Sequence, residues 1–310
     1  MLETPAPGDF THLALFYRDD TDYAHGVGEF VERGLESNEP VFVSVPGGKI
    51  ELLRDALGET SRSVEFADMT HVGLNPARII PAITGFLAKH VGRATRFVGE
   101  PIWAERSAEE VVEATRHEAL INVAFAGTAT SILCPYDERS LGAHILCDAE
   151  RTHPELISER GQRVDSTAYD PLEVYAAADR PLPEPSGPVT SFSTGTAGLG
   201  RFRQDVRAYV APLLSPFNVG GFVVAASEVA ANTLAHGDGQ GTARIWHDTD
   251  EVCLEFSDRG QITDPLAGRR RPPADGAGGR GLWLVNQTCD LVELRSGAAG
   301  TVIRLHMRRS

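Results

Sequence analysis

The sequence predicts an α/β protein of two domains, and three observations carry that expectation. In the first half, β-rich runs alternate with amphipathic stretches, the pattern of βαβ units around a mostly parallel sheet. At 178–188 the run "ADRPLPEPSGP" places four prolines in eleven residues, which excludes a helix interior or central strand and reads as a short, stiff linker. Beyond it, strands cluster late around few helices, which suggests one antiparallel-rich sheet with helices on one face. At 310 residues and 42% hydrophobic, the chain can bury two cores.

The domain at 10–177 opens with "HLALFY" (12–17) and continues with the β-rich runs "PVFVSV", "SVEFADM", "TRFVGE" and "TSILCPY", the last at 130–136. Between them, 21–37, 76–90 and 108–124 have helical periodicity. In the domain at 189–310 the order is a strand near 189–194, helices near 196–213 and 217–236, then "TARIWHD" and "EVCLEFSD" joined by a tight turn. An irregular stretch, a helix from about 280 to 289 and the strands "LVELRS" and "TVIRLHM" complete it.

Charge divides along the same seam. Residues 189–310 hold 13 Arg and no Lys against 12 Asp and Glu, about +1, while 1–188 hold 16 basic against 31 acidic residues, about −15. An acidic sheath of that size argues against a nucleic-acid partner and for a protein or small molecule. No apolar run reaches the roughly 18 residues of a membrane span, and the start "MLETPAPGDF" has neither a basic end nor an apolar core of a signal peptide. A cytoplasmic protein without membrane contact is expected, and the four scattered cysteines fit reduced, structural thiols.

The stretch "SEVAANTLAHG" places Glu228, Asn232 and His236 at four-residue intervals, hence on one edge of a helix, while Phe222, Ala226, Val229 and Thr233 take the face that packs inward. Three features follow in order. The strand "CLEFS" exits at Asp258, with Gly260 two residues later, where a backbone can approach a ligand without a Cβ in the way. The aperiodic 261–278 segment is long enough to suggest a lid. "GGRGLWLV" then puts Gly279 and Gly281 at a helix start, whose free N–H groups suit an anion. A final strand opens with Gly300 and Thr301.

These four pieces resemble the GHKL ATPases, the Bergerat-fold group of gyrase, Hsp90, histidine kinases and anti-sigma serine kinases. Glu228-x-x-x-Asn232 stands as the N box, Asp258-x-Gly260 as G1, Gly279-x-Gly281-Leu282 as G2, and Gly300-Thr301 as the last element. The resemblance implies a Bergerat-fold α/β sandwich that binds ATP and Mg²⁺. Asn232 would help hold Mg²⁺, Asp258 would accept from the adenine amino group, with Thr301 in support through water, and Gly279, Arg280, Gly281 and Leu282 would border the phosphates. Glu228 would be the proton acceptor, and Trp283, two residues beyond Gly281, would report binding.

Other residues have plainer readings. His236 reads as a cap before Gly237, Arg269, Arg270 and Arg271 as a solvated loop, and Arg280 as the better arginine for phosphate. The eleven-residue linker leaves no room for a dimerising phosphoacceptor segment, and His117-Glu118 only mimics one from inside the first domain. With nine residues after Thr301, a transducer domain of the gyrase or Hsp90 kind is not expected. Among GHKL proteins the anti-sigma serine kinases, involved in transcription and stress regulation, match best. They bind a sigma factor and phosphorylate a Ser or Thr of a STAS-domain anti-anti-sigma partner; a non-catalytic regulator with structural ATP stays open beside this. A homodimer is compatible with either.

"HLALFY", "GEPIW" (99–103), "EALIN" (118–122) and "LCPYD" (133–137) are similar to the MEDS sensory domain over about 12–150. That resemblance implies a RecA-like fold without a working P-loop. "PGGKIEL" agrees, since Lys49 lacks both the G-x-x-x-x-G-K spacing and the Ser/Thr that would follow. Cys134, His144, Cys147 and His153 match no standard zinc spacing, so they read as packing, with no structural metal.

Overall fold

The structure, a computed structural model, describes residues 10–158, 161–185, 187–193, 198–237, 241–272 and 279–309. The chain divides into two units, Met1–Ala178 and Asp179–Ser310.

The first unit runs β1 (Thr11–Tyr17), α1 (Asp20–Glu36), β2 (Val41–Val45), α2 (Gly47–Leu57), β3 (Val64–Asp68), α3 (Met69–Val72), α4 (Ile79–Lys89), β4 (Thr95–Gly99), α5 (Ala108–Ala124), β5 (Thr130–Asp137), α6 (Ala143–Thr152), β6 (Glu155–Ile157), β7 (Arg163–Asp165) and α7 (Pro171–Ala177). Its seven strands lie in the order β3-β2-β4-β5-β1-β6-β7. Every pair is parallel except β6 with β7. Helices cover both sides of such a sheet, so its inner strands read as continuous apolar runs: every residue of β2 and of β4 is buried.

Local chemistry sets the helix starts. Asp19 caps α1 by accepting from the N–H groups of Thr21 and Asp22, and Ser107 with Glu110 forms a reciprocal capping box on α5. Helix α2 occupies the stretch taken above only as a failed phosphate loop, and β6–β7 extend the sheet beyond the five strands legible in the sequence.

The second unit contains β8 (Thr190–Ser193), α8 (Leu199–Val210), α9 (Pro216–His236), β9 (Gly241–His247), β10 (Glu251–Asp258), α10 (Arg280–Thr288), β11 (Leu291–Gly297) and β12 (Gly300–Arg308). The sheet order is β11-β12-β10-β9-β8, antiparallel throughout. Phe202 and Val206 of α8, Phe222 and Val229 of α9, and Val285 of α10 share one core with Ile245, Leu254, Phe256 and Leu305 of the strands. Helix α9 starts where Ser215 caps it and Pro216 fixes the first turn.

Strand alternation sends the opposite side chains to the other face. There Glu255 accepts from Arg244 and Arg304, both at 2.6 Å, and Arg304 donates onward to the Pro183 carbonyl at 2.7 Å. Arg295 donates to the Arg180 carbonyl at 3.2 Å, and Arg244 pairs with Glu184 at 2.7 Å. The proline-rich segment is thus held along this sheet over 180–184. Among the described residues no helix is long and apolar enough to cross a membrane.

Candidate functional site

Helix α9 carries the first half of the site. Phe222, Ala226, Val229 and Thr233 are buried, which leaves Glu228 and Asn232 half-buried on the neighbouring edge, one turn apart. Neither of these two side chains has a hydrogen-bond partner among the described residues. The start of α10 lies directly opposite: a Cβ at Gly281 would come 3.0 Å from Glu228 Oε2 and 3.2 Å from Asn232 Nδ2. Gly281 is therefore where α10 approaches α9 closely, its lack of a side chain leaving room for a carboxylate and an amide.

Gly279 is the N-cap of α10, in the left-handed conformation at φ +80°, and no side chain caps the helix. Gly279 thus brings no side chain of its own to the helix start, and a helix N-terminus of this kind suits an anion. Arg280, the first helical residue, is exposed. Leu282 points the other way and packs against the core of the unit.

Asp258 sits at the exit of β10 and is tied to α9. Its Oδ2 accepts from the Thr233 hydroxyl and its Oδ1 from the Gly260 N–H, both at 2.8 Å. A carboxylate has about four acceptor positions, so Asp258 keeps capacity for a further donor. Thr301 pairs with Asp258 across β12 and β10 and donates to the Gly260 carbonyl at 2.8 Å. With that proton committed, Thr301 Oγ1 accepts from the Ser296 hydroxyl at 2.8 Å, and Ser296 Oγ accepts from the Ile262 N–H.

The reason for glycine at 260 differs from the expected one. A Cβ there would lie 2.6 Å from the His236 carbonyl, so the end of α9 itself occupies the space foreseen for a ligand. His236 is the exposed last residue of α9, followed by Gly237 as cap.

The stretch after Gly260 folds back on α10, where Asn286 donates to the Gly268 carbonyl at 3.1 Å and Leu266 is buried. Arg270 and Arg271 are exposed, but Arg269 is buried, which corrects the reading of all three as solvated. The rest of the lid foreseen at 261–278, from 273 onward, lies outside the described residues.

Sequence reasoning missed Thr233 and Ser296 as supports of Asp258 and Thr301. Thr233 reads in the sequence as an inward-packing residue, and the strand register brings Ser296 beside Thr301. It also missed Arg203 of α8, which donates to Ser227 at 3.0 Å, next to Glu228.

In the first unit the residues weighed as a metal set separate. His144 and Cys147 are exposed on α6, whereas Cys134 and His153 are buried together with His12 and Glu118. Lys49 is spent internally: its amine donates to the Tyr17 hydroxyl at 2.9 Å and lies 4.2 Å and 4.0 Å from the ring centres of Tyr17 and Tyr23. Tyr17 in turn donates to Glu100 at 2.9 Å, and burial pushes the Glu100 carboxyl up to about 7 against the opposing pull of Lys49.

A five-stranded antiparallel sheet under three helices, with polar residues gathered where α9, β10 and α10 meet, is a GHKL-type ATPase sandwich, here joined to a parallel-rich α/β domain. Residues 192–307 match the family described as histidine kinase-like ATPase domain, and residues 11–154 match the MEthanogen/methylotroph, DcmR Sensory domain, MEDS. The chain thus carries a MEDS domain and a GHKL-type ATPase domain. No curated protein matches it. Among solved structures, it is similar to the crystal structure of the RsbU and RsbW domains of Rv1364c from Mycobacterium tuberculosis, with 19% identity and a TM-score of 0.31. That likeness covers 40% of this chain and 33% of the other.

Proposed function

We propose that the second unit binds Mg-ATP and phosphorylates a Ser or Thr of a STAS-domain anti-anti-sigma partner, with a sigma factor as the other partner and the MEDS domain as sensory input. The observation that carries the reading is the close approach of the α10 start at Gly281 to Glu228 and Asn232, two polar side chains without partners among the described residues. Mg²⁺ needs few protein ligands when phosphate oxygens and water supply the rest, so the single amide of Asn232 fits it.

In this reading the uncapped start of α10, from Gly279 through Gly281, faces the phosphates, with Arg280 as the adjacent cation. Asp258 accepts from the adenine amino group while Thr233 and Gly260 hold its carboxylate in place. Thr301 steadies the Gly260 carbonyl beneath it. Bound ATP supplies the phosphoryl group, and transfer depends mainly on positioning and charge stabilisation. Glu228 orients the incoming hydroxyl and takes its proton.

The test is incubation of the full chain with labelled ATP, Mg²⁺ and STAS-domain proteins from the same genome. Label on a partner Ser or Thr is expected. Nucleotide binding without transfer to any of them would leave the non-catalytic regulator.

A further inference from the structure

Four Lewis-basic side chains from four separate elements of the first unit converge in its interior, and no role described above uses them. They are His12 on β1, Glu118 on α5, Cys134 on β5 and His153 at the end of α6, each at most 1% exposed. We propose that they form a closed four-ligand site for a divalent ion of the zinc class, bound through His12 Nε2, His153 Nε2, one Glu118 oxygen and the Cys134 thiolate.

The distances fit a tetrahedron. Glu118 Oε2 lies 3.1 Å from His12 Nε2, 3.3 Å from His153 Nε2 and 3.5 Å from Cys134 Sγ, and that sulfur lies 3.5 Å from His12 Nε2. Zinc bonds of about 2.0–2.1 Å to nitrogen or oxygen and about 2.3 Å to sulfur, at tetrahedral angles, put ligand atoms roughly 3.3–3.6 Å apart. All four ligand atoms lie within 4.8 Å of one another.

The tautomers point the same way. Asn122 uses its amide nitrogen to donate to the Thr152 carbonyl at 2.8 Å, so its oxygen faces His12 Nδ1 at 3.2 Å, and that nitrogen carries the proton. His153 Nδ1 lies 2.7 Å from the Ala149 carbonyl, which can only accept, so it too carries its proton. With Nδ1 protonated on each ring, both imidazoles turn Nε2 toward the same carboxylate oxygen. A cation at their meeting point satisfies all three groups, and Nδ1 held by a carbonyl or amide oxygen is the outer-shell pattern that prepares histidines for metal. His153 Nε2 and Glu118 Oε1 are both buried without a hydrogen-bond partner among the described residues. Two imidazoles and a thiol select zinc or a similar borderline metal over Mg²⁺ or Ca²⁺.

A second group, Glu251, Cys253 and His306 in the other unit, lacks this pattern. Both nitrogens of His306 face carboxylates, Glu251 at 2.9 Å and Glu293 at 3.0 Å, so a protonated imidazole satisfies it without metal.

The test uses the full chain, purified without chelator from zinc-containing medium. About one zinc per chain is expected on elemental analysis. After unfolding in chelator and refolding, Co²⁺ should restore a thiolate-to-cobalt charge-transfer band in the wild type and in Cys253→Ser, and not in Cys134→Ser. Asn122→Ala, which frees the His12 tautomer, should weaken zinc binding about 10- to 100-fold. Wild-type chain without zinc and without a cobalt–thiolate band overturns the site, whatever the variants do; so does a band that Cys134→Ser keeps.

Discussion

Gly281 on α10 faces Glu228 on α9 so closely that one added methyl carbon would sit 3.0 Å from the carboxylate oxygen Oε2. The fold can absorb that methyl, because the contacted atom is the end of a flexible side chain, and glycine to alanine within a helix gains roughly 0.5–1 kcal/mol. Gly281→Ala should therefore melt no lower than the wild type while nucleotide affinity falls at least about tenfold, since the methyl presses on the Asn232 amide and crowds the helix start that would face the phosphates. Calorimetry with ATP, alongside a thermal melt, checks both. Trp283 gives a second readout, because a half-buried indole two residues beyond Gly281 should change its fluorescence on ATP addition in the wild type and not in the variant.

Glu228 and Asn232 should separate chemistry from binding. Glu228→Ala is expected to leave nucleotide and sigma-factor binding nearly intact and to cut transfer to a STAS partner by roughly 10² or more. Asn232→Ala should in addition lose the Mg²⁺-dependence of nucleotide binding. Equal transfer rates for Glu228→Ala and wild type would remove the carboxylate from the reaction.

Asp258 is held from two sides, and that makes its replacement informative. Asp258→Asn should weaken ATP binding by about 1–3 kcal/mol through loss of a charge-assisted hydrogen bond. Thr233→Val keeps the carboxylate but frees its Oδ2, so a smaller loss of affinity is expected from misorientation alone. A Thr233→Val loss larger than that of Asp258→Asn would mean that Thr233, rather than Asp258, meets the nucleotide.

Glu100 sets a pH dependence in the first unit. Burial raises its carboxyl from the ordinary 4.5 to about 7, so between these values the folded chain binds a proton that the unfolded chain does not. Stability from this group is therefore full below about pH 4.5 and falls as pH rises through 7, by up to roughly 3 kcal/mol. Glu100→Gln, which still accepts from the Tyr17 hydroxyl, should remove that downward slope and melt higher than the wild type at pH 8. Parallel melting profiles of the two proteins from pH 5 to 8 would contradict the assignment.

Much of this molecule is local, and the local part was legible. Glu228 and Asn232 share an edge because residues four apart do so on any helix. The α/β alternation of the first half and the late strands of the second follow from hydrophobic period, and Ser107, Ser215 and Pro216 mark helix starts by chemistry that acts within one turn.

What the sequence did not contain is which elements meet. The β6–β7 extension has three-residue strands too short to show a period, whereas α2 carries Ile50, Leu53 and Leu57 at helical spacing that the phosphate-loop comparison passed over. Thr233 looks like any inward-facing helix residue until β10 brings Asp258 within 2.8 Å, and Gly260 serves the end of α9 rather than an open cleft. The cluster of His12, Glu118, Cys134 and His153 has no spacing signature because its members come from four elements. The sequence by itself determined the elements and the residue types along their faces, since those depend on neighbours within a few positions. Sheet order and helix packing alone decided which side chains share a volume, because residues as far apart as Thr233 and Asp258, or His12 and Cys134, meet only once the core has closed around them.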